Sequence, residues 1–340
     1  MKILFVGPNQ GTAYQRRKAL ERLGHETHAI NPEHCLSKRK PWPKLHKETG
    51  GYFVKRRVTK WVLESMGDER YDLAWVDWCR YVDASLVGEI RRRCGRVVNY
   101  NNDDPLGSRD GIMWSLYRST IPLYDLVVVM REQNVAEAEA RGARKVLRVY
   151  MSADEVAHAP RVVEESERAQ WESDVLFLGT WFPERGPFMA ELIRQGVPLS
   201  IRGGQWKKAK EWPLLRSVWK GPGTASDDEY AWRIQGAKVC LGLLSKGNRD
   251  LHTQRTMEIP LLGGLLCAER TEEHERLYQD WDEAVFWSNA EECAEVCRRL
   301  LDDEPKRRAI ARAGRERCLA NATQNEKVLE RVLAEAFCEV

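Results

Sequence analysis

The sequence predicts an α/β protein built from two consecutive Rossmann-like halves that face each other across a cleft. Three observations carry this expectation. At 340 residues the chain exceeds what one hydrophobic core usually fills. Short β-branched runs alternate with amphipathic stretches, the pattern of a parallel sheet covered on both faces. The alternation breaks over a charged stretch, 152–173, and restarts at Asp174.

In the first half, Lys2 to Gly7 reads as a strand running into a glycine loop, and a helix follows from Gly11 to about Leu23. Gly24 stops that helix and a strand runs to Ile30. Further strands are expected at 71–76, 96–100, 124–130 and 145–149. The stretch 35–60 contains Lys38-Arg39-Lys40-Pro41-Trp42-Pro43 and has weak periodicity, so it reads as an inserted loop and helix start. The second half repeats the plan, with strands at 174–178, 199–201, 238–244, 265–268 and 284–287. Helices at 290–301 and 305–319 close it. The domain limits expected are 1–155, 170–322, and a terminal amphipathic helix in 323–340 that packs back toward the domain joint.

Composition narrows the classes. With 43% hydrophobic and 31% charged residues and a formal net charge of +3, bulk electrostatics favours neither nucleic acid nor membrane as a partner. No apolar run approaches the roughly 20 residues of a membrane span. The N-terminus lacks the apolar core and cleavage site of a secretory signal. Nine cysteines, none in a Cys-x-x-Cys pair, read as reduced thiols of a cytoplasmic protein. Cys293 and Cys297 share a helix face but make a poor zinc site, so no metal is expected.

Ligands of such sheets gather at the carboxyl ends of strands. There the sequence places Gly11 and Thr12, Asp77 beside Trp78, and Asn102-Asp103-Asp104-Pro105. Asp103 or Asp104 is positioned to act as a general base, Pro105 stiffening the segment; the competing reading is an Asx-type turn. The glycine loop at 7–12 matches neither the dinucleotide fingerprint nor a P-loop.

In the second half, Gly179-Thr180-Trp181 with Arg185, and Arg202-Gly203-Gly204 with Trp206, end strands; the Trp206 ring is a candidate to stack on a base. A polar loop with Lys246, Asn248, Asp250 and His252 leads to Arg255-Thr256-Met257-Glu258. Lys246, His252 and Arg255 together would neutralise a departing diphosphate. At a helix start Arg255 would fork onto phosphate and Glu258, one turn on, would accept ribose hydroxyls; the alternative is a salt-bridged helix start. Glu273 either touches the donor or belongs to a helix cap.

The run Asp250-x-His252-Thr253-x-Arg255-Thr256-x-Glu258-Ile259-Pro260, then Gly263-Gly264, Glu269-Arg270-Thr271-Glu272-Glu273-His274 and Ala311-x-Ala313-Gly314-Arg315-x-Arg317-Cys318, resembles two-domain GT-B glycosyltransferases. More narrowly it is similar to the CgeB-like, spore-maturation group, whose C-terminal module is of the group 1 type. The resemblance implies a nucleotide-diphosphate-sugar donor, a UDP-sugar, held by the C-terminal half, and a glycan, protein or small-molecule acceptor held by the N-terminal strand ends. It implies a hexosyltransferase that works without a metal or other cofactor. Glu258 would hold the ribose, Arg255 the diphosphate, and Gly179, Thr180, Arg202 and Gly203 would line the donor cleft. The related enzymes often carry a second glutamate eight residues earlier, where this chain has Asp250. The alternative function is a non-catalytic nucleotide-sugar-binding or surface-layer assembly protein with a degenerate site. An oxidoreductase lacks its fingerprint here.

Overall fold

In the computed structural model, which describes residues 1–338, the chain forms two compact units. The first holds residues 1–150 and the chain from Asn325 onward, together with the three residues Gly247–Arg249. The second holds Met151–Lys246 and Asp250–Gln324.

Six parallel strands make the sheet of the first unit: β1 (Lys2–Val6), β2 (Glu26–Ile30), β3 (Tyr71–Asp77), β4 (Cys94–Tyr100), β5 (Leu126–Val129) and β6 (Val146–Arg148). Their spatial order is β2-β1-β3-β4-β5-β6. β1, β3 and β5 are nearly continuous apolar runs, as strands buried on both faces must be. The stretch read as an inserted loop and helix start at 35–60 forms two helices, Trp42–Glu48 and Lys55–Met66. The second buries Val58, Val62 and Met66, a spacing of four that sets one apolar face on the core.

The strand order reverses between β1 and β3, and such a switch point normally opens a crevice. Here it is filled. Asp77, expected on the acceptor side, is fully buried and accepts two hydrogen bonds at 2.8 Å from Arg16 and one at 3.1 Å from the Trp75 indole. The Arg16 guanidinium lies 4.5 Å from the Tyr100 ring centre. Asp77 is therefore a core ion-pair partner, because a carboxylate withdrawn from water requires its cation.

The second unit has five parallel strands: β7 (Ser173–Leu178), β8 (Leu199–Arg202), β9 (Ala237–Gly242), β10 (Leu266–Glu269) and β11 (Val285–Trp287), ordered β11-β10-β9-β7-β8. Trp206 belongs to its core. The ring is 1% exposed and lies edge-on to Phe177, with the indole donating to the Gly179 carbonyl at 2.9 Å, so it has no free face for a base. Cys267, Cys293 and Cys297 pack there with all three sulfurs within 4.8 Å of one another. Hydrogen bonding to the two neighbouring cysteines and burial hold the Cys267 thiol above its usual pKa. The charged stretch 152–173 is partly built in, since Ser152–Asp154 and His158 are buried.

Asp77→Ala leaves Arg16 as an uncompensated buried cation. We expect a loss of about 3–5 kcal/mol of stability, measured by urea unfolding.

Candidate functional site

At the second unit's switch point, between β7 and β9, Arg185 spans the strand ends. Its guanidinium donates to the Thr180 carbonyl at 2.7 Å, to Leu243 at 3.1 Å and to Leu244 at 2.9 Å. Burial pushes its pKa down to about 10, yet the group stays cationic at neutral pH. Arg255 joins it by donating to the Leu178 carbonyl at 3.1 Å. Two guanidinium groups thus converge on the carboxyl end of β7. Beside them a cavity of about 150 Å³ runs along the ends of β9, β10 and β11, lined by Arg185, Lys246, Glu269 and Trp287 among others. The Trp287 indole N–H is buried without a partner.

The helix carrying Arg255 and Glu258 is Gln254–Leu261. Thr256 closes its first turn by accepting from the Thr253 N–H at 3.1 Å, and its hydroxyl meets His274 Nε2 at 2.9 Å. Pro260 has no N–H for the Thr256 carbonyl, and the Tyr278 hydroxyl donates to that carbonyl instead, at 2.9 Å. Gly263, at φ 83°, ends the segment. Thr256 is thus a buried capping residue, not a donor ligand.

Glu258 is 2% exposed. Its carboxylate pairs with Arg255, accepts from the Tyr230 hydroxyl at 2.7 Å and lies 3.5 Å from His158 Nε2. His158 Nδ1 accepts from the Asp154 N–H at 2.9 Å, which leaves its proton on Nε2, toward Glu258. Burial is the largest single influence and would raise the Glu258 carboxyl; the Arg255 charge, His158 and the hydrogen bonds from Tyr230 and Arg255 together outweigh it and hold the pKa below the usual 4.5. Arg255 keeps about a third of its side chain exposed and lies 5.0 Å over the Tyr230 ring. Sequence reading missed Tyr230 and His158. The one available signal was that a carboxylate on a buried helix face needs more donors than a single arginine.

His252 does not stand as a cation toward a diphosphate, as its place in the polar loop suggests. It is buried, its Nε2 accepts from the Met151 N–H at 2.9 Å, and its Nδ1 pairs with Glu273. With one nitrogen accepting from the backbone, the ring is held neutral and is no diphosphate cation. Glu273 is its buried partner and not a donor contact. Lys246 is half-exposed, pairs with Glu269, and offers its backbone N–H to Glu184 at 3.3 Å. Asp250 is buried and acts electrostatically on Arg185.

The glycine turns mesh. A Cβ on Gly203, whose φ is 150°, would stand 1.8 Å from the Gly179 carbonyl oxygen. Trp219 donates to the Gly203 carbonyl at 3.2 Å, as Trp206 does to Gly179. Trp181 is half-buried with its indole N–H unpartnered, and Arg202 donates to the Gly223 carbonyl at 3.1 Å.

In the first unit the ends of β3 and β4 bring Trp78, Asn102 and Asp103 together. Trp78 holds a left-handed φ of 51° and donates to Asp103 at 2.5 Å. Such strain in a bulky residue clusters at functional positions. The Asn102 carbonyl accepts from Arg131 at 3.1 Å. Asn248, expected with the donor, belongs to this unit and reaches Asp103 at 3.4 Å. Asp104 is taken by Arg249, at 2.5 and 2.8 Å, and by Asn134. Burial is outweighed by these hydrogen bonds, so its pKa lies below the usual value and it is a poor base. Gly11 and Thr12 stand apart, at the exposed start of helix Gly11–Arg22.

Two parallel-stranded Rossmann-like units in one chain define the GT-B fold, and comparison with solved structures agrees. Sucrose-phosphate synthase from Thermosynechococcus elongatus superposes with a TM-score of 0.69 at 12% identity, over 99% of both chains. Anabaena HepE, crystallised with UDP-glucose, gives 0.67 at 12% identity over 98% of this chain and 100% of that one. A putative UDP-N-acetylglucosamine 2-epimerase from Listeria monocytogenes gives 0.59 at 12% identity over 98% and 95%. Within this fold, residues 185–334 match the family described as "Glycosyl transferase-like". No curated protein matches the sequence.

Because the folded pKa of Glu258 lies below its unfolded one, its stabilisation is complete above pH ~4.5 and disappears as pH falls through the lower folded value. Thermal midpoints measured against pH should therefore drop on the acid side. Glu258→Gln should cost about 2 kcal/mol at pH 7 and flatten that acid limb.

Proposed function

We propose that the protein is a metal-independent hexosyltransferase of the CgeB-like type, taking the sugar from a UDP-sugar bound on the second unit. The observation that carries this reading is the pairing of Arg255 with a buried, preoriented Glu258 beside Arg185 at the switch point, inside the segment matched as glycosyl transferase-like. Glu258 then accepts the two ribose hydroxyls, and Arg255 turns its fork from the carboxylate to the diphosphate. Lys246 leaves Glu269 to meet the same leaving group. Fixed positive charge at a partly dehydrated site favours the charge that develops as the glycosidic bond to phosphate breaks, so the reading calls for no metal ion. Arg185 adds a standing positive potential without leaving its carbonyls.

The acceptor, a glycan, protein or small-molecule hydroxyl, is assigned to the first unit's strand ends. Asp103 is the base there for a reaction that inverts configuration. Its support is the strained Trp78 that fixes it and the engagement of Asp104 with Arg249. Nine cysteines with no Cys-x-x-Cys pair fit a reducing, cytoplasmic setting. Among the described residues no helix is long and apolar enough to cross a membrane.

UDP should raise the thermal midpoint more than GDP, dTDP or CDP, the gain reaching about 2.7 kcal/mol at a hundredfold excess over Kd. Arg255→Ala should lower the rate of UDP release from UDP-sugars by roughly 10²–10³-fold. Absence of both nucleotide binding and UDP release would sink the reading. UDP binding without turnover would favour the non-catalytic alternative.

A further inference from the structure

The basic, aromatic insertion of the first unit plays no part in the chemistry above. Between Lys38 and Lys60 stand nine lysines and arginines against one acid, Glu48, a formal +8 within a chain whose total is +3. The rest of the chain is thus net negative, and the positive charge is gathered in one place. Glu48 is itself 3.6 Å from Lys44.

The same segment exposes its large apolar side chains. Helices Trp42–Glu48 and Lys55–Met66 are joined by a turn in which Gly50 and Gly51 take left-handed φ values of 57° and 76°. The turn holds Tyr52 and Phe53 at its tip, 61% and 77% exposed, with ring centres 5.8 Å apart. Lys55 lies 4.5 Å over the Tyr52 ring. Trp42 and Leu45 on the first helix are about half exposed, as is Ile112, whose carbonyl oxygen would meet a Cβ on Gly50 at 2.4 Å. The inward faces explain the fold of the insertion: Val58, Val62 and Met66 are in the core and His46 is buried. They give no reason for five apolar side chains to face water.

Clustered exposed aromatics mark an interaction surface. Tyrosine and tryptophan favour the headgroup level of a bilayer, and a polybasic segment beside them is attracted to anionic lipid. We propose that this surface docks the protein on anionic phospholipid membranes, Tyr52 and Phe53 entering the interface while the flanking cations meet the lipid phosphates. Nucleic acid would use the cations but gives no role to Phe53 at the tip of a two-glycine turn.

Co-sedimentation of the full chain with phosphatidylcholine vesicles, with and without phosphatidylglycerol, tests this. Binding to the anionic vesicles should be at least about tenfold stronger and should weaken with salt. The double variant Tyr52→Ser, Phe53→Ser should lose most of it. So should the triple variant Lys38→Gln, Arg39→Gln, Lys40→Gln, with thermal unfolding unchanged in both because all five positions are exposed. Equal binding to neutral vesicles, or none to anionic ones, overturns the proposal. So does full retention of binding by the aromatic variant, which together with equally tight RNA binding would mark a general polyanion site. Vesicle binding is read without a donor, so its failure is separate from failure of glycosyl transfer.

Discussion

Glu258 sits where water does not reach, and an ionised carboxylate there is tolerated only when it is paired and hydrogen-bonded. That requirement draws on three pieces of the second unit, one of them on the same helix. Arg255 comes from the preceding turn of the same helix, Tyr230 from helix Asp227–Gly236, and His158 from the segment that enters the unit. The segment around His158 is ordered against the unit because its imidazole has a place there. Arg255 keeps the exposed surface of this set, so the site presents a cation whose rest position is already defined.

The two sheets share the order 2-1-3-4-5 in their own strand numbering, and they use the reversal differently. In the first unit Arg16 and Asp77 neutralise each other and close the crevice. In the second, the hydrogen bonds of the Arg185 guanidinium at the corresponding position go, among the described residues, to carbonyl oxygens and to no carboxylate. One topology thus yields a sealed core in one unit and an electropositive strand edge in the other.

Much of this was legible from period alone, because strands buried on both faces are written as nearly continuous apolar runs. The strands at 2–6, 71–77 and 173–178 are of that kind. What sequence could not show was the direction of side chains. Trp206, Asp77, His252 and Thr256 stand next to strand and helix ends as ligands would, yet each turns inward to satisfy a buried backbone or side-chain group. The 35–60 stretch hid its first helix because Trp42 and Leu45 lie on the exposed side of it while His46 is the buried one, which erases the usual amphipathic contrast. His158 lay in a charged segment with no periodicity to mark it.

The interlocked turns at Gly179 and Gly203 restrict how such a site can diversify. With two backbones in contact and a tryptophan pinning each carbonyl, neither Gly179 nor Gly203 has room for a larger side chain. Divergence among descendants of this chain would have to run through the side chains around the rim, such as Arg202 and Trp181, while the two glycines stay.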